Sequence, residues 1–366
     1  MNQNISWRNI SAFIILNFGL TWLVALLIYL KGGLTYGPSI TLLLQLYMLF
    51  PAFSAIFLQL FMFKENPIYF KTYRELPRLF YLFFLIYTVL FALFTLITLE
   101  DLLPLQLTNV ITLSLSIGGL LFVIVLYAKS GKGLFKRVGL SFGSPKYFLY
   151  YGLLIVGIYF GMTLLNIASN LGDFVDVEEF MVEISGSDPE ATDQLADIPP
   201  AVFIFAVGIE SLLLGPFMGL LITFGEEYGW RGYLQNEFTK LGRVRGVVLV
   251  GLIWGLWHAP IIAMGYNYPN HPFLGIILMT LYAIALAFIL GLAYYQSQSV
   301  WLTAYLHGLN NQVFSFLILL IYTPTDMAFS FGLGIYGLFV FAAIVILLLR
   351  HPAWREPHVG IQESFE

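Results

Sequence analysis

About ten apolar runs, each close to the 20 residues a helix needs to cross the hydrocarbon of a bilayer, dominate this chain. They lie near Ile10–Leu30, Pro38–Phe63, Leu79–Leu99, Asn109–Ala128, Phe148–Ala168, Ala201–Phe224, Val247–Tyr266, Phe273–Tyr295, Val300–Tyr322 and Phe331–Leu349. Runs of that length exceed the strand of a membrane barrel, and lipid offers a helix's backbone no other partners, so the expected fold is all-α: a polytopic transmembrane helix bundle. About ten spans are expected, with eight or nine as the alternative count. Composition leads the same way. Residues are 59% hydrophobic and 10% charged, and mean hydropathy is +0.84. A soluble domain carries roughly 25% charged residues, and a chain this short of charge could not cover a water-facing surface. A net charge of −4 gives no reason to expect nucleic acid as a partner. The absence of cysteine excludes thiolate catalysis, disulfides and cysteine metal sites. The first run is too long for a signal peptide and reads as a span.

The loops order the spans. Lys64, Lys71, Arg74 and Arg78, then Lys129, Lys132, Lys136, Arg137 and Lys146, then Arg231, Lys240, Arg243 and Arg245 fall in alternate connections, with Arg8 before the first span and Arg350 and Arg355 after the last. Only Lys31 falls in the other set of loops, so the positive-inside rule expects both termini in the cytoplasm. Between Ser169 and Pro199 stand nine acids and no Lys or Arg, which puts that loop outside. The chain divides accordingly into N-terminal transmembrane helices of open role (1–171), an acidic extracytoplasmic loop (172–199), a second transmembrane unit (200–350) and a cytoplasmic tail (351–366).

Ionisable groups are costly in hydrocarbon, and those that remain there are candidates for function. They gather in the second unit. In Gly225-Glu226-Glu227-Tyr228-Gly229-Trp230-Arg231, Glu227 and Arg231 share a helix face and can pair. Glu226 points about 100° away, without a cation of its own, as suits a general base. The bland alternative is a structural Glu–Arg pair beside a solvated Glu226. A helix from Ala201 to Lys240 would be about 60 Å long, twice the hydrocarbon thickness, so a break is required. Gly215-Pro216 is the expected place, and a break there puts Glu226 well inside the bilayer. In Trp254-Gly255-Leu256-Trp257-His258, His258 comes near mid-membrane; a neutral histidine bonded to a carbonyl is its bland reading. His307 and Asn311 share a face of the ninth span, as two donors aimed at one point or as helix–helix glue. Glu210 has no partner within a turn and reads as structural or protonated. His271, His351 and His358 read as solvated loop or tail residues. A carboxylate, two histidines and an amide on three spans suit water-driven acyl chemistry, the first pair activating water and the second stabilising an oxyanion.

The ordered motifs Glu-Glu-x-x-x-Arg, aromatic-x-x-x-His and His-x-x-x-Asn resemble those of the CAAX protease and bacteriocin-processing family of intramembrane glutamic endopeptidases, over roughly Leu212 to Tyr322. The resemblance implies metal-independent peptide hydrolysis, with 200–350 as the protease core. It assigns water activation to Glu226 and His258, the oxyanion hole to His307 and Asn311, and supporting roles to Glu227, Arg231 and Trp254. Trp254 stands where Phe is common, and either residue supplies an aromatic wall. No cofactor is expected. The rival is a metalloprotease with Glu226, Glu227, His258 and His307 on zinc, although His-Glu-x-x-His spacing is missing. The implied partners are a membrane-associated protein or peptide substrate, prenylated or leader-bearing, and the lipid bilayer. A non-proteolytic membrane protein, either a bacteriocin-immunity factor or a proton- or ion-coupled transporter, is the alternative function.

Overall fold

The computed structural model describes residues 5–34, 37–99, 103–137, 139–185, 195 and 197–355. His358 and parts of the acidic loop and of the tail lie outside them. The fold is an all-α bundle. Its first half comprises α1 (Trp7–Leu30), α2 (Pro38–Phe61), α3 (Pro77–Leu99), α4 (Leu105–Ser130), the short α5 (Lys132–Arg137) and α6 (Pro145–Ala168). The acidic loop holds a strand, β1 (Gly172–Phe174), and a short helix, α7 (Val177–Ser185). The second half follows as α8 (Pro200–Met218), α9 (Leu220–Glu227, extended by Tyr228–Gln235 and Asn236–Thr239), α10 (Arg243–Trp257), α11 (Ala259–Ala263), α12 (Pro272–Ser297), α13 (Val300–Leu320), strand β2 (Tyr322–Pro324) and α14 (Ile335–Leu348).

Among the described residues, seven helices are long and apolar enough to cross a membrane: α1, α2, α3, α4, α6, α8 and α12. The other three expected spans are helical but depart from the simple pattern, each for a visible reason. The seventh is interrupted at His258 between α10 and α11. In α13 the residues His307, Asn310, Asn311 and Gln312 dilute the apolar run. At 14 residues α14 reaches only about 21 Å, short of a bilayer's hydrocarbon.

Contacts sort the connections into two ends. At one, the Lys31 ammonium reaches the Leu99 carbonyl, β1 pairs antiparallel with β2, and His271 bonds Asp326. At the other, Leu140 bridges to Ser299, the Tyr151 hydroxyl donates to Gln296, and Arg243 donates to the Ala353 carbonyl. The second end carries the basic loops. His271 and His351 are therefore not free loop residues: His271 Nε2 lies 2.8 Å from Asp326, and His351 Nδ1 accepts the Ala353 N–H at 3.1 Å.

The required break in the long sixth element falls at Gly219, three residues beyond Pro216, where ψ opens to 3° and α8 gives way to α9. Two wide π turns, Glu210–Leu214 and Tyr228–Gln235, flank it. Beyond the break the chain packs against α2 with almost nothing between the backbones. A Cβ on Gly225 would stand 2.5 Å from the Met48 carbonyl oxygen, and one on Gly229 would stand 2.5 Å from Pro51. Glu226 is thus level with the middle of α2, and the first half of the chain is a wall of the site. Gly225→Ala, which drives a methyl into that backbone, should cost about 1–3 kcal/mol, read as an earlier unfolding midpoint in detergent. Gly118→Ala, with nothing within 4 Å, should leave the midpoint nearly unchanged, and equal shifts would contradict this close packing.

Candidate active site

The sequence of α10 explains how His258 is presented. Pro260 lacks the N–H that the Leu256 carbonyl would accept, and the helix closes at Trp257. The His258 N–H turns to the Gly255 carbonyl at 3.1 Å. This leaves the Trp254 carbonyl to the His258 ring, with Nδ1 at 2.8 Å. A carbonyl can only accept, so Nδ1 carries the proton, and in the neutral ring Nε2 keeps its lone pair. The bland reading of His258, a ring satisfied by a carbonyl, is true of one nitrogen and leaves the other available.

Glu226 and Glu227 part as helical spacing predicts. Glu227 Oε1 accepts from Arg231 at 3.0 Å, with both side chains fully buried, and from His307 Nδ1 at 2.9 Å. Glu226 has no cation bonded to it. Its Oε2 accepts two indole N–H groups, from Trp254 at 2.7 Å and Trp230 at 3.3 Å. Among the described residues, nothing donates to Oε1. The indoles hold the carboxylate at one oxygen and leave the other for a ligand.

Trp254 is therefore more than an aromatic wall. Its N–H holds Glu226 and its carbonyl holds His258. Its ring meets the His307 ring edge-on, centroids 5.3 Å apart, and lies 4.5 Å beneath the Arg231 guanidinium. A Phe at this position would keep the ring contacts and lose the bond to Glu226.

Glu226, Trp254, His258, His307 and Asn311 all line one cavity of about 290 Å³. It runs from Glu226 to Tyr266, Asn267 and Leu333 at the end of the bundle away from the basic loops. Asn311 is exposed along this cavity, unlike the buried His307 and Asn310. Its Oδ1 accepts from Asn310 Nδ2 at 3.1 Å, which turns its own amide N–H groups outward as donors. Asn310 is anchored in turn by the hydroxyls of Tyr159 and Tyr282, at 2.8 and 3.1 Å. Glu210 stands apart on an exposed flank of α8, with the Ser211 hydroxyl 3.5 Å away.

Several lining or supporting residues carried no sequence signal. Tyr47 of α2 lines the cavity, packs its ring 4.3 Å from that of Trp257 and donates its hydroxyl to the Trp257 carbonyl. Tyr159, Tyr282 and Asn310 are linked only through the fold. Trp230 was within reach of sequence reasoning, since it follows Glu226 at the same four-residue spacing that pairs Glu227 with Arg231. Among the described residues no group of three or more His, Asp or Glu is placed to hold a metal ion, and Glu227 is already bonded to Arg231 and His307.

Fold and site together define an integral membrane protein with a cavity among its helices on which several polar side chains converge. Residues 208–313 match the family described as Type II CAAX prenyl endopeptidase Rce1-like. A curated relative, CAAX prenyl protease 2 of Methanococcus maripaludis, is 36% identical over 53 residues, 14% of this chain and 20% of that protein. The aligned part thus spans about a fifth of the relative's length. No solved structure matches. The match covers residues 208–313, the stretch that carries the motifs, and agrees with the family those motifs resemble.

The indole bridge is testable by a double-mutant cycle in detergent unfolding. Trp254→Phe should lose about 1.5–3 kcal/mol, the worth of a hydrogen bond to a charged group. In a Glu226→Leu background, where no carboxylate remains, the same change should cost clearly less. Equal losses in both backgrounds would mean that the indole N–H does not hold Glu226.

Proposed function

We propose that this protein is an intramembrane endopeptidase that hydrolyses a peptide bond of a membrane-associated protein or peptide with water activated by Glu226 and His258. The observation that carries this is the convergence of Glu226, His258, His307 and Asn311 on one cavity, each held by a bond that leaves its other polar atom available. The family match and the similarity to a CAAX prenyl protease support peptide hydrolysis as the reaction class.

The chemistry follows from the free atoms. Water sits between Glu226 Oε1 and His258 Nε2, gives up a proton to this pair and attacks the scissile carbonyl carbon. The carbonyl oxygen takes the negative charge. His307, in its doubly protonated form with Nδ1–H on Glu227, donates from Nε2, and Asn311 donates from Nδ2. Collapse breaks the C–N bond, and the proton taken from water passes to the leaving amine. Glu227 and Arg231 hold His307 in place and do not touch the substrate. In this reading no metal takes part, and a chelator leaves turnover unchanged.

Sidedness bears on the substrate. By the positive-inside rule the basic end is cytoplasmic, with both termini there. The chamber, lined as far as Tyr266, Asn267 and Leu333, then faces the extracytoplasmic side, so that a leader-bearing peptide delivered across the membrane fits better than a prenylated cytoplasmic tail.

Three measurements test these statements. Glu226→Gln, an isosteric change, should abolish cleavage while expression and membrane insertion persist, and comparative membrane proteomics against wild type should show an uncut precursor accumulating; matching peptide profiles would defeat the assignment and favour an immunity factor or a transporter. Asn311→Ala should lower kcat by about 10²–10³; an effect confined to KM would make Asn311 a substrate-binding residue. The chain has no cysteine, so single replacements report sidedness directly. In intact cells a membrane-impermeant maleimide should label Asn267→Cys and spare Lys146→Cys, and the reverse pattern would turn the chamber to the cytoplasm.

A further inference from the structure

A second and larger cavity, about 780 Å³, opens at the basic end of the bundle, on the opposite side from the chamber. It lies where α6 begins, α12 ends and α14 ends, so it sits at the depth where apolar helices meet the headgroups. Two cations border it, Lys146 in the first turn of α6 and Arg350 just beyond α14. No carboxylate lines it, and neither cation is paired with one among the described residues. The Lys146 ammonium is steadied over the Tyr147 ring, 4.8 Å from its centroid.

The floor is built from bonded side chains. The Tyr151 hydroxyl donates to Gln296 at 2.7 Å, and the Gln296 amide nitrogen lies 2.7 Å from His351 Nε2. His351 Nδ1 accepts the Ala353 N–H. These bonds tie α6, α12 and the segment after α14 into one frame. Below the cations the wall turns apolar at Leu292 and Leu347, the latter exposed toward the space that lipid fills. Two cations without a carboxylate partner among the described residues, above an apolar wall at headgroup depth, match an amphiphile with a negative phosphate and an acyl chain. Clustered Lys and Arg at the cytoplasmic ends of spans attract anionic lipid in the same way.

We infer that this groove binds the phosphate headgroup of an anionic phospholipid, with Lys146 and Arg350 on the phosphate and an acyl chain along the exposed Leu347.

The test is native mass spectrometry of the full chain, released from detergent micelles that contain equal phosphatidylglycerol and phosphatidylcholine. Wild type should retain phosphatidylglycerol under activation that strips phosphatidylcholine. Lys146→Ala with Arg350→Ala should lower that retention on the order of tenfold or more, the loss expected from two headgroup cations. Both side chains are exposed, so the variant should elute as wild type does on gel filtration. Lys64→Ala with Lys71→Ala removes the same charge elsewhere at the basic end and should leave retention unchanged. An equal fall in the two double variants would mean diffuse attraction to charge and would overturn the site. So would equal retention of the two lipids by wild type, or displacement of the lipid by millimolar inorganic phosphate, which would make it a free-phosphate site.

Discussion

Trp254 is the residue through which the rest of the site is held. A carboxylate and an imidazole from different helices must be kept within reach of one water, yet neither carries a counter-ion bonded to it. The indole N–H fixes Glu226, the carbonyl of the same residue fixes His258, and the ring face and edge meet Arg231 and His307. The two groups that would share a water are therefore both positioned relative to one residue, Glu226 by its side chain and His258 by its backbone. This is the arrangement expected where geometry must hold to a fraction of an ångström.

That anchoring depends on the N-terminal half, whose helices carry none of the motifs. Glycine at 225 and 229 lets α2 lie against α9 backbone to backbone, and Pro51, inside α2, occupies the space a side chain at 229 would need. Tyr47, a turn before Pro51, then reaches the Trp257 carbonyl just ahead of His258. The wide turn at Tyr228–Gln235 begins directly after Glu227, and such turns recur at functional sites because they re-aim side chains without breaking the helix. The first helices thus complete the chamber.

The division between what was legible in the sequence and what was not follows the range of the forces involved. Apolar runs, basic loops and i, i+4 spacing are local, and they gave the bundle, the alternation of its two ends and the Glu227–Arg231 pair. The break in the long sixth element was required by length, and the Gly215-Pro216 signal came within a turn of its actual position at Gly219. Tyr47, Tyr159 and Tyr282 were invisible, as aromatic residues in apolar helices with nothing to mark them. Trp254 was visible as a ring but not as a donor, because its role appears only once Glu226 is brought to it from another helix. The three elements that fail a simple span test do so where polar groups or a cavity interrupt the apolar pattern: at His258, along the polar run beside His307, and at the short α14 that borders the second groove.

The cost of this design is concentrated in the fully buried Glu227–Arg231 pair. Such a pair roughly breaks even against well-packed apolar side chains, so stability alone does not account for it. What it supplies is a fixed charge behind His307. Glu227 Oε1 sets the proton on Nδ1 and thereby decides that Nε2 is the atom presented to the chamber, while Arg231 balances the carboxylate. Replacing the pair with apolar groups could preserve the bundle and would leave the His307 ring free to turn. The same logic runs through the site: one atom of each polar group is spent on the scaffold so that the other faces the chamber in a single orientation.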